Sequence, residues 1–330
     1  MNSSNLKILL SEYERKRMNA IYDAERRKFD LYEKHPELQE IDDELSKEAI
    51  NTSKQIITSK DPSLIKELND KLSLLKEKKN NILKSLNIDE NYLKPKFECN
   101  DCNDTGYINN NYESIMCHCL KQKLFDIEYN KSNISNLERD NFDNFSFDLY
   151  SDEINEEKYK SKNSPRKNIE FIYKLSKKFI DNFDDKEQKN LLFTGNTGLG
   201  KSFLSSCIAR EILKKGKTVL YQTAPVMLDT IMDFRFGKEN SSKDIYDNIL
   251  NVDLLIIDDL GTECINNMKF SELFNIINTR LLNNSTKTII STNLSLDNLF
   301  STYDERIVSR LVGNYDICHF YGDDIRFIKK

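Results

Sequence analysis

Long apolar runs are missing from this 330-residue chain, and no stretch approaches the length of a membrane span. The polar opening MNSSNLK lacks the pattern of a secretory leader, so a cytoplasmic location is expected. Glycine is scarce, nine residues in all, and from Leu6 to about Leu93 there is none. Neither sign of charge dominates: 49 basic and 54 acidic residues leave a net −5. Overall charge therefore gives no ground for nucleic-acid binding, and any such surface must be local. Apolar residues make up only 38% and charged residues 31%, which points to a globular part plus solvated helices rather than one core. Seven cysteines in a cytoplasmic chain argue against disulfides.

What is present divides the chain. Residues 1–95 read as helices with apolar stripes, punctuated by Pro36 and Pro62. The clearest stripe is Ile65, Leu68, Leu72, Leu75, Ile82 and Leu86, interrupted by Lys79, with Asp61 and Pro62 as its cap. Leu38, Ile41, Leu45 and Ile56 form a second, and a third runs from Leu6 through Ile21 to Phe29. These stripes predict three helices packed as a hairpin or small bundle, and a leftover face serves either burial or docking.

Residues 96–130 hold Cys99, Cys102, Cys117 and Cys119. Two pairs of thiolates close a tetrahedral site, for which structural Zn²⁺ is the natural occupant; a redox dithiol is the alternative. Tyr107 is placed to cover the site, and His118 is a competing ligand. Cys207, Cys264 and Cys318 read as packing residues. Residues 131–166 have linker composition, with Phe142, Phe145 and Phe147 as anchors to the next domain. From 167 to 330, a helix over 169–183 leads into an apolar strand. Helical patterns then alternate with the runs TVLYQT, LLIID, TIIST and YDICHFY, which gives an α/β fold, an αβα sandwich on a five-stranded parallel sheet.

The chemistry starts at LLFTGNTGLGKS, a strand feeding a complete phosphate-binding loop. Gly195, Asn196, Thr197, Gly198, Leu199 and Gly200 turn backbone N–H groups toward phosphates, and the helix that opens with Lys201, Ser202 and Phe203 adds its positive end. Lys201 is expected on the β- and γ-phosphates of ATP and the Ser202 hydroxyl on Mg²⁺. In LLIIDDLG, Asp258 is the second Mg²⁺ holder and Asp259 the group that orients the attacking water. Asn293 emerges at the same sheet edge, able to hydrogen-bond the γ-phosphate or that water. Arg306 and Arg310 share one helix face, either solvated or aimed at a neighbouring subunit's phosphate. Phe234, Arg235, Phe236 and Lys238 combine aromatic and cationic groups, which suit either single-stranded DNA or helix packing.

Taken together, GNTGLGKS, LLIIDDLG, ISTNLS and ERIVSR resemble the AAA+ P-loop module of bacterial replicative helicase loaders, the DnaC and DnaI group, over about Phe142 to Lys330. The resemblance implies an ATPase in which Asn293 is sensor 1, Arg310 the arginine finger, and Arg326 a sensor 2-like arginine. It implies no separate C-terminal lid, a zinc-binding N-terminal region as in DnaI-like members, and single-stranded DNA contact near Phe234. It also implies capture of the replicative DNA helicase, a DnaB-type hexamer, by the N-terminal module, with self-association through the ATP sites. Asp259 departs from the Glu usual in this family, so slow hydrolysis suited to a switch is expected. Two other readings stay open: an IstB-like transposition helper ATPase, and a non-catalytic nucleotide-dependent adaptor.

Overall fold

A computed structural model describes residues 3–59, 63–110, 113–128, 139–237, 243–264 and 266–328. The chain forms two compact units, Ile8–Ile115 and Met116–Lys330 with Met1–Lys7. Among the described residues no helix is long and apolar enough to cross a membrane.

The smaller unit is built on α1 (Ser3–Lys34), α2 (Pro36–Ser59) and α3 (Ser63–Ser85). Pro36 is the first residue of α2, where its missing N–H costs nothing and its ring ends α1. Leu31, Leu38 and Leu83, one from each helix, share a buried cluster flanked by Tyr32, Ile82 and Leu86, so the expected three-helix packing is present. Lys79, the polar break in the stripe, donates to both carboxylate oxygens of Asp42 on α2 at 2.6 and 2.8 Å. Lys28 of α1 stands 3.2 Å from the same carboxylate. The apparent defect is thus an ion-pair knot joining the helices. The Asp61–Pro62 cap and the side chains of Ile56, Ile65 and Leu68 lie outside the described residues. Phe29, expected in the first stripe, is 63% exposed, and the buried positions of α1 are instead Leu9, Tyr13, Ala24 and Leu31. A short ribbon of β1 (Tyr107–Asn110) and β2 (Glu113–Met116) comes next in the chain.

The larger unit opens with α4 (His118–Glu128), α5 (Glu156–Tyr159) and α6 (Pro165–Asp181). The strands β3 (Asn190–Thr194), β4 (Val219–Thr223), β5 (Leu254–Leu260), β6 (Lys287–Thr292) and β7 (Tyr315–His319) alternate with helices. Between them run α7 (Lys201–Lys214), α8 (Ala224–Arg235), α9 (Lys243–Asn251), α10 (Asn267–Leu282), α11 (Leu296–Thr302) and α12 (Glu305–Asn314). The sheet order is β4-β5-β6-β3-β7, with every pairing parallel. Alternate strand residues enter opposite layers, as the pleat requires. Leu192, Leu255, Ile257 and Ile290 pack with Leu228, Ile276 and Leu311. Leu191, Phe193, Ile256 and Ile289 pack with Ile172, Phe179, Leu204 and Ile208. Buried on both faces, the strands read as continuous apolar runs, and the result is the expected αβα sandwich.

One feature was not legible in the sequence. The edge strand β4 is capped by α4, because Gln122 donates its amide to the Val219 carbonyl at 3.0 Å and accepts the Val219 N–H at 2.8 Å. That satisfies backbone groups at an edge that would otherwise template pairing. The described part of the linker-like stretch is folded: Phe142 and Tyr150 are buried, and Phe145 lies 5.1 Å from Phe147 and 5.2 Å from Tyr173 of α6. Phe142, Phe145 and Phe147 are the aromatics that the sequence marked as anchors, and all three rings meet Tyr173 of α6.

Candidate nucleotide site

The site forms where β3, β5 and β6 end. After Thr194 the chain must turn back sharply, and at Gly195 (φ +129°) a Cβ would lie 2.1 Å from the Phe320 carbonyl oxygen. At Gly198 (φ +78°) it would lie 2.1 Å from the Asp324 carboxylate. Only glycine fits this cradle. Tyr150 donates its hydroxyl to the Leu199 carbonyl at 3.0 Å, and the Ile325 N–H donates to the Gly198 carbonyl at 2.9 Å, so segments on both sides brace the loop. Asn196, Thr197 and Ser202 are exposed along it, while the Phe203 ring lies tilted, 6.0 Å from that of Phe145.

Lys201 is buried, and its ammonium donates to the carbonyls of Gly195 and Asn196 at 2.6 and 2.8 Å and to Asn293 Oδ1 at 2.7 Å. Burial lowers its pKa to about 8, against the pull of the Asp259 and Asp258 carboxylates. The structure therefore brings Lys201, Asn293, Asp258 and Asp259 into one site. A desolvated cation beside glycine-turned backbone is a donor set suited to phosphate.

Asp258 is buried and accepts the Tyr221 hydroxyl at 2.8 Å and the Ser291 hydroxyl in a short hydrogen bond. Two neutral donors fix the carboxylate without neutralising it, which keeps it suited to a hard cation. Asp259 adopts the left-handed region at φ +56°, uncommon for a residue with a Cβ. Its N–H donates to Asp258 Oδ1 and to Ser291 Oγ, both at 3.2 Å. Burial raises the Asp259 pKa above the ordinary carboxylate value, Asp258 adds to this, and Lys201 opposes it. The carboxylate is accordingly more basic than usual.

Arg310 projects from α12 with its guanidinium 4.4 Å from the Phe274 ring centroid and its Nε donating to Asn278 Oδ1 at 2.8 Å. Arg306 stacks more loosely on the same ring, at 5.2 Å, and is paired with Asp304 at 3.0 Å. Arg326 is exposed and holds Asp324 at 2.6 Å. Of the aromatic and basic patch, Phe236 is 65% exposed. Arg235 is committed to both carboxylate oxygens of Glu272 at 2.9 and 3.2 Å, while Lys238 lies outside the described residues.

The ligand atoms of Cys99, Cys102, Cys117 and Cys119 lie within 4.8 Å of one another. Tetrahedral Zn–S bonds of about 2.3 Å require sulfur separations of about 3.8 Å, so the thiols fit that ion. A second grouping, Cys99, Asp101 and His118, shares the first ligand. Asp104 shapes the first knuckle, its two oxygens accepting the N–H groups of Glu98 and Cys99, each at 2.9 Å. Cys207 and Cys318 are buried as expected, whereas Cys264 is exposed because it lies on the loop after β5 rather than under a helix. Sequence reasoning missed Tyr221 and Ser291. Their signal was polarity inside buried apolar strands, where an unsatisfied hydroxyl is costly.

A family model described as IstB-like ATP binding protein matches residues 153–329. The replicative helicase loader DnaC of Escherichia coli is 27% identical over 141 residues, 42% of this chain and 56% of that protein. An insertion sequence ATP-binding protein of Sinorhizobium fredii is 28% identical over 146 residues, again 42% and 56%. The chain thus spans little more than half the length of these curated relatives. Among solved structures, the crystal structure of the DnaC helicase loader has a TM-score of 0.43 at 24% identity, covering 56% of this chain and 98% of that one.

Proposed function

The chain belongs to the IstB-like ATP-binding protein family, and from that premise we propose that it is a cytoplasmic ATP-dependent loader that binds a replicative DNA helicase, a DnaB-type hexamer, and delivers it onto single-stranded DNA during replication initiation. The observation that carries the ATPase part is the convergence of Lys201 and Asn293, 2.7 Å apart, with the Asp258–Asp259 pair. Similarity to DnaC loaders supports the cargo.

In this reading the loop from Gly195 to Gly200 grips the ATP phosphates by backbone N–H groups, and Lys201 exchanges its carbonyl partners for β- and γ-phosphate oxygens. Ser202 and Asp258 hold Mg²⁺, which when bound supplies charge neutralisation on those phosphates. Asp259 orients the attacking water, and Asn293 hydrogen-bonds the γ-phosphate or that water. Arg310, pre-aimed by Phe274 and Asn278, completes the site of a neighbouring copy, and Arg326 contributes once it leaves Asp324. Hydrolysis is slow, because the Asp259 arm is shorter than that of Glu. The four cysteines hold Zn²⁺ in the 96–130 segment, next in sequence to the helicase-binding helices of residues 1–95, with 131–166 linking to the 167–330 ATPase domain. Phe236 contacts single-stranded DNA.

The test is size-exclusion chromatography with light scattering on this protein and its organism's replicative helicase, with ATP, ADP or neither. A nucleotide-responsive complex lost in Lys201→Ala is expected. No complex in any state overturns the loader reading. That result would favour a transposition helper, which the similarity to an insertion sequence ATP-binding protein also supports.

A further inference from the structure

Beyond the residues that meet nucleotide, a buried carboxylate lies just after them. Glu263 is 7% exposed, and its two oxygens serve two different elements. Oε2 accepts the Gly261 N–H at 2.8 Å, and Oε1 accepts the Tyr303 hydroxyl in a short hydrogen bond. The first contact closes the turn that begins at Asp259, whose left-handed backbone needs support. Thr262 closes the same turn on the Asp259 carbonyl, through its N–H at 3.3 Å and its hydroxyl at 2.8 Å. The second contact reaches the α11–α12 corner. Tyr303 is buried, its N–H caps α11 by donating to the Leu299 carbonyl at 2.9 Å, and its ring meets Phe270 of α10 edge-on at 5.6 Å. The next residue, Asp304, is the N-cap of α12, which carries Arg310 about two helical turns on.

Gly261 adds a third tie. A Cβ there would lie 2.7 Å from Leu294, the neighbour of Asn293. One carboxylate therefore sits where the turn after Asp259, the Asn293 loop and the arginine helix meet. For stability alone an apolar pair would serve as well, since a buried charge must be fully compensated.

We propose that Glu263 is a positioning residue for ATP turnover, fixing from one side chain both the backbone that presents Asp259 and the corner that aims Arg310. The inference rests on the ATPase reading above, with Arg310 acting on a neighbouring copy.

The experiment mixes full-length subunits. Lys201→Ala subunits keep Arg310 but lose their own site, and Arg310→Ala subunits keep the site but lose the donor. Mixing them is expected to restore turnover that neither shows alone. Adding Glu263→Gln to the donor lowers the restored rate on the order of tenfold or more, as a small misplacement of a reacting group does. Adding it to the acceptor does the same through Asp259. Tyr303→Phe, which spares the Gly261 contact, lowers the rate only in the donor. Binding of a fluorescent ATP analogue by the Glu263→Gln single variant stays within about twofold of the parent, since the phosphate loop is not touched. A Glu263→Gln donor that restores turnover as well as its parent overturns the inference. So does lost analogue binding, which would make the residue a folding determinant. Absence of turnover in the unmutated protein defeats the ATPase reading before any Glu263 variant is made.

Discussion

Lys201 should make nucleotide binding take up a proton at mildly alkaline pH. Its pKa is lowered to about 8 because burial outweighs the Asp259 and Asp258 carboxylates. Phosphates at the loop would return it toward the ordinary lysine value of about 10.4. Without ligand, about a tenth of the side chains are neutral at pH 7, roughly half at pH 8 and about nine-tenths at pH 9. Binding of MgATP should therefore absorb about half a proton at pH 8 and nearly a whole one at pH 9, and affinity should fall about tenfold between pH 7 and pH 9. The sign for folding is the reverse. A base whose folded pKa is lowered destabilises the charged state, so the ligand-free protein gains stability from this group as pH rises from about 8 toward its unfolded value. Titration calorimetry in two buffers of different ionisation enthalpy reads the uptake directly, and Lys201→Met should abolish it. No uptake at pH 8.5, or uptake that survives in Lys201→Met, would refute the placement of this lysine on phosphate.

Arg280 is buried and donates to the carbonyls of Ile249, Val252 and Lys287 at 2.8, 2.9 and 2.6 Å. Arg280→Met strands these acceptors at the end of α9 and the start of β6 and should cost about 3–5 kcal/mol, seen as a drop in melting temperature on the order of 10 °C; an unchanged melt would show that water replaces the guanidinium. Replacing Gln122 by Leu removes both bonds to Val219, so a loss of about 1–3 kcal/mol is expected, with faster hydrogen exchange at the Val219 amide as its local signature. Elemental analysis should find one zinc per chain, lost in Cys102→Ser; protein purified with zinc-saturated medium yet free of metal would leave the dithiol alternative in its place.

The phosphate loop was legible because its chemistry dictates both residue types and spacing: glycines to turn N–H groups, then Lys201 and Ser202. The five strands were legible for a related reason, since burial on both faces leaves only apolar runs. The surroundings of Asp258 were not, because Tyr221 and Ser291 reach it from strands 37 and 33 residues away. Only the parallel register, which sets Thr223 beside Asp258 and Ile257 beside Ile290, brings them there. Lys79 and Gln122 show the same limit from the other side. Each looks like a surface polar residue in the sequence, and each proves to be the polar partner of an element far along the chain.

The arginines carry that limit into function. Four residues apart on α12, Arg306 and Arg310 are equivalent by spacing, and nothing local distinguishes them. Packing against α10 does: Asn278 accepts from Arg310 at 2.8 Å, while Asp304 takes Arg306 at 3.0 Å. A guanidinium held by a neutral amide keeps its charge unpaired by that contact and available to an anion, whereas one held by a carboxylate must first break an ion pair. The same reasoning separates Arg235, committed to Glu272, from its exposed neighbour Phe236. If the proposed DNA contact is made here, the exposed Phe236 ring contributes to it by stacking, while the Arg235 charge is already committed to Glu272. Phe236→Ala should then weaken single-stranded DNA binding by about 1–3 kcal/mol, measured by fluorescence anisotropy. Arg235→Ala should instead lower thermal stability more than DNA affinity, and the opposite ranking would place the phosphate contact on Arg235.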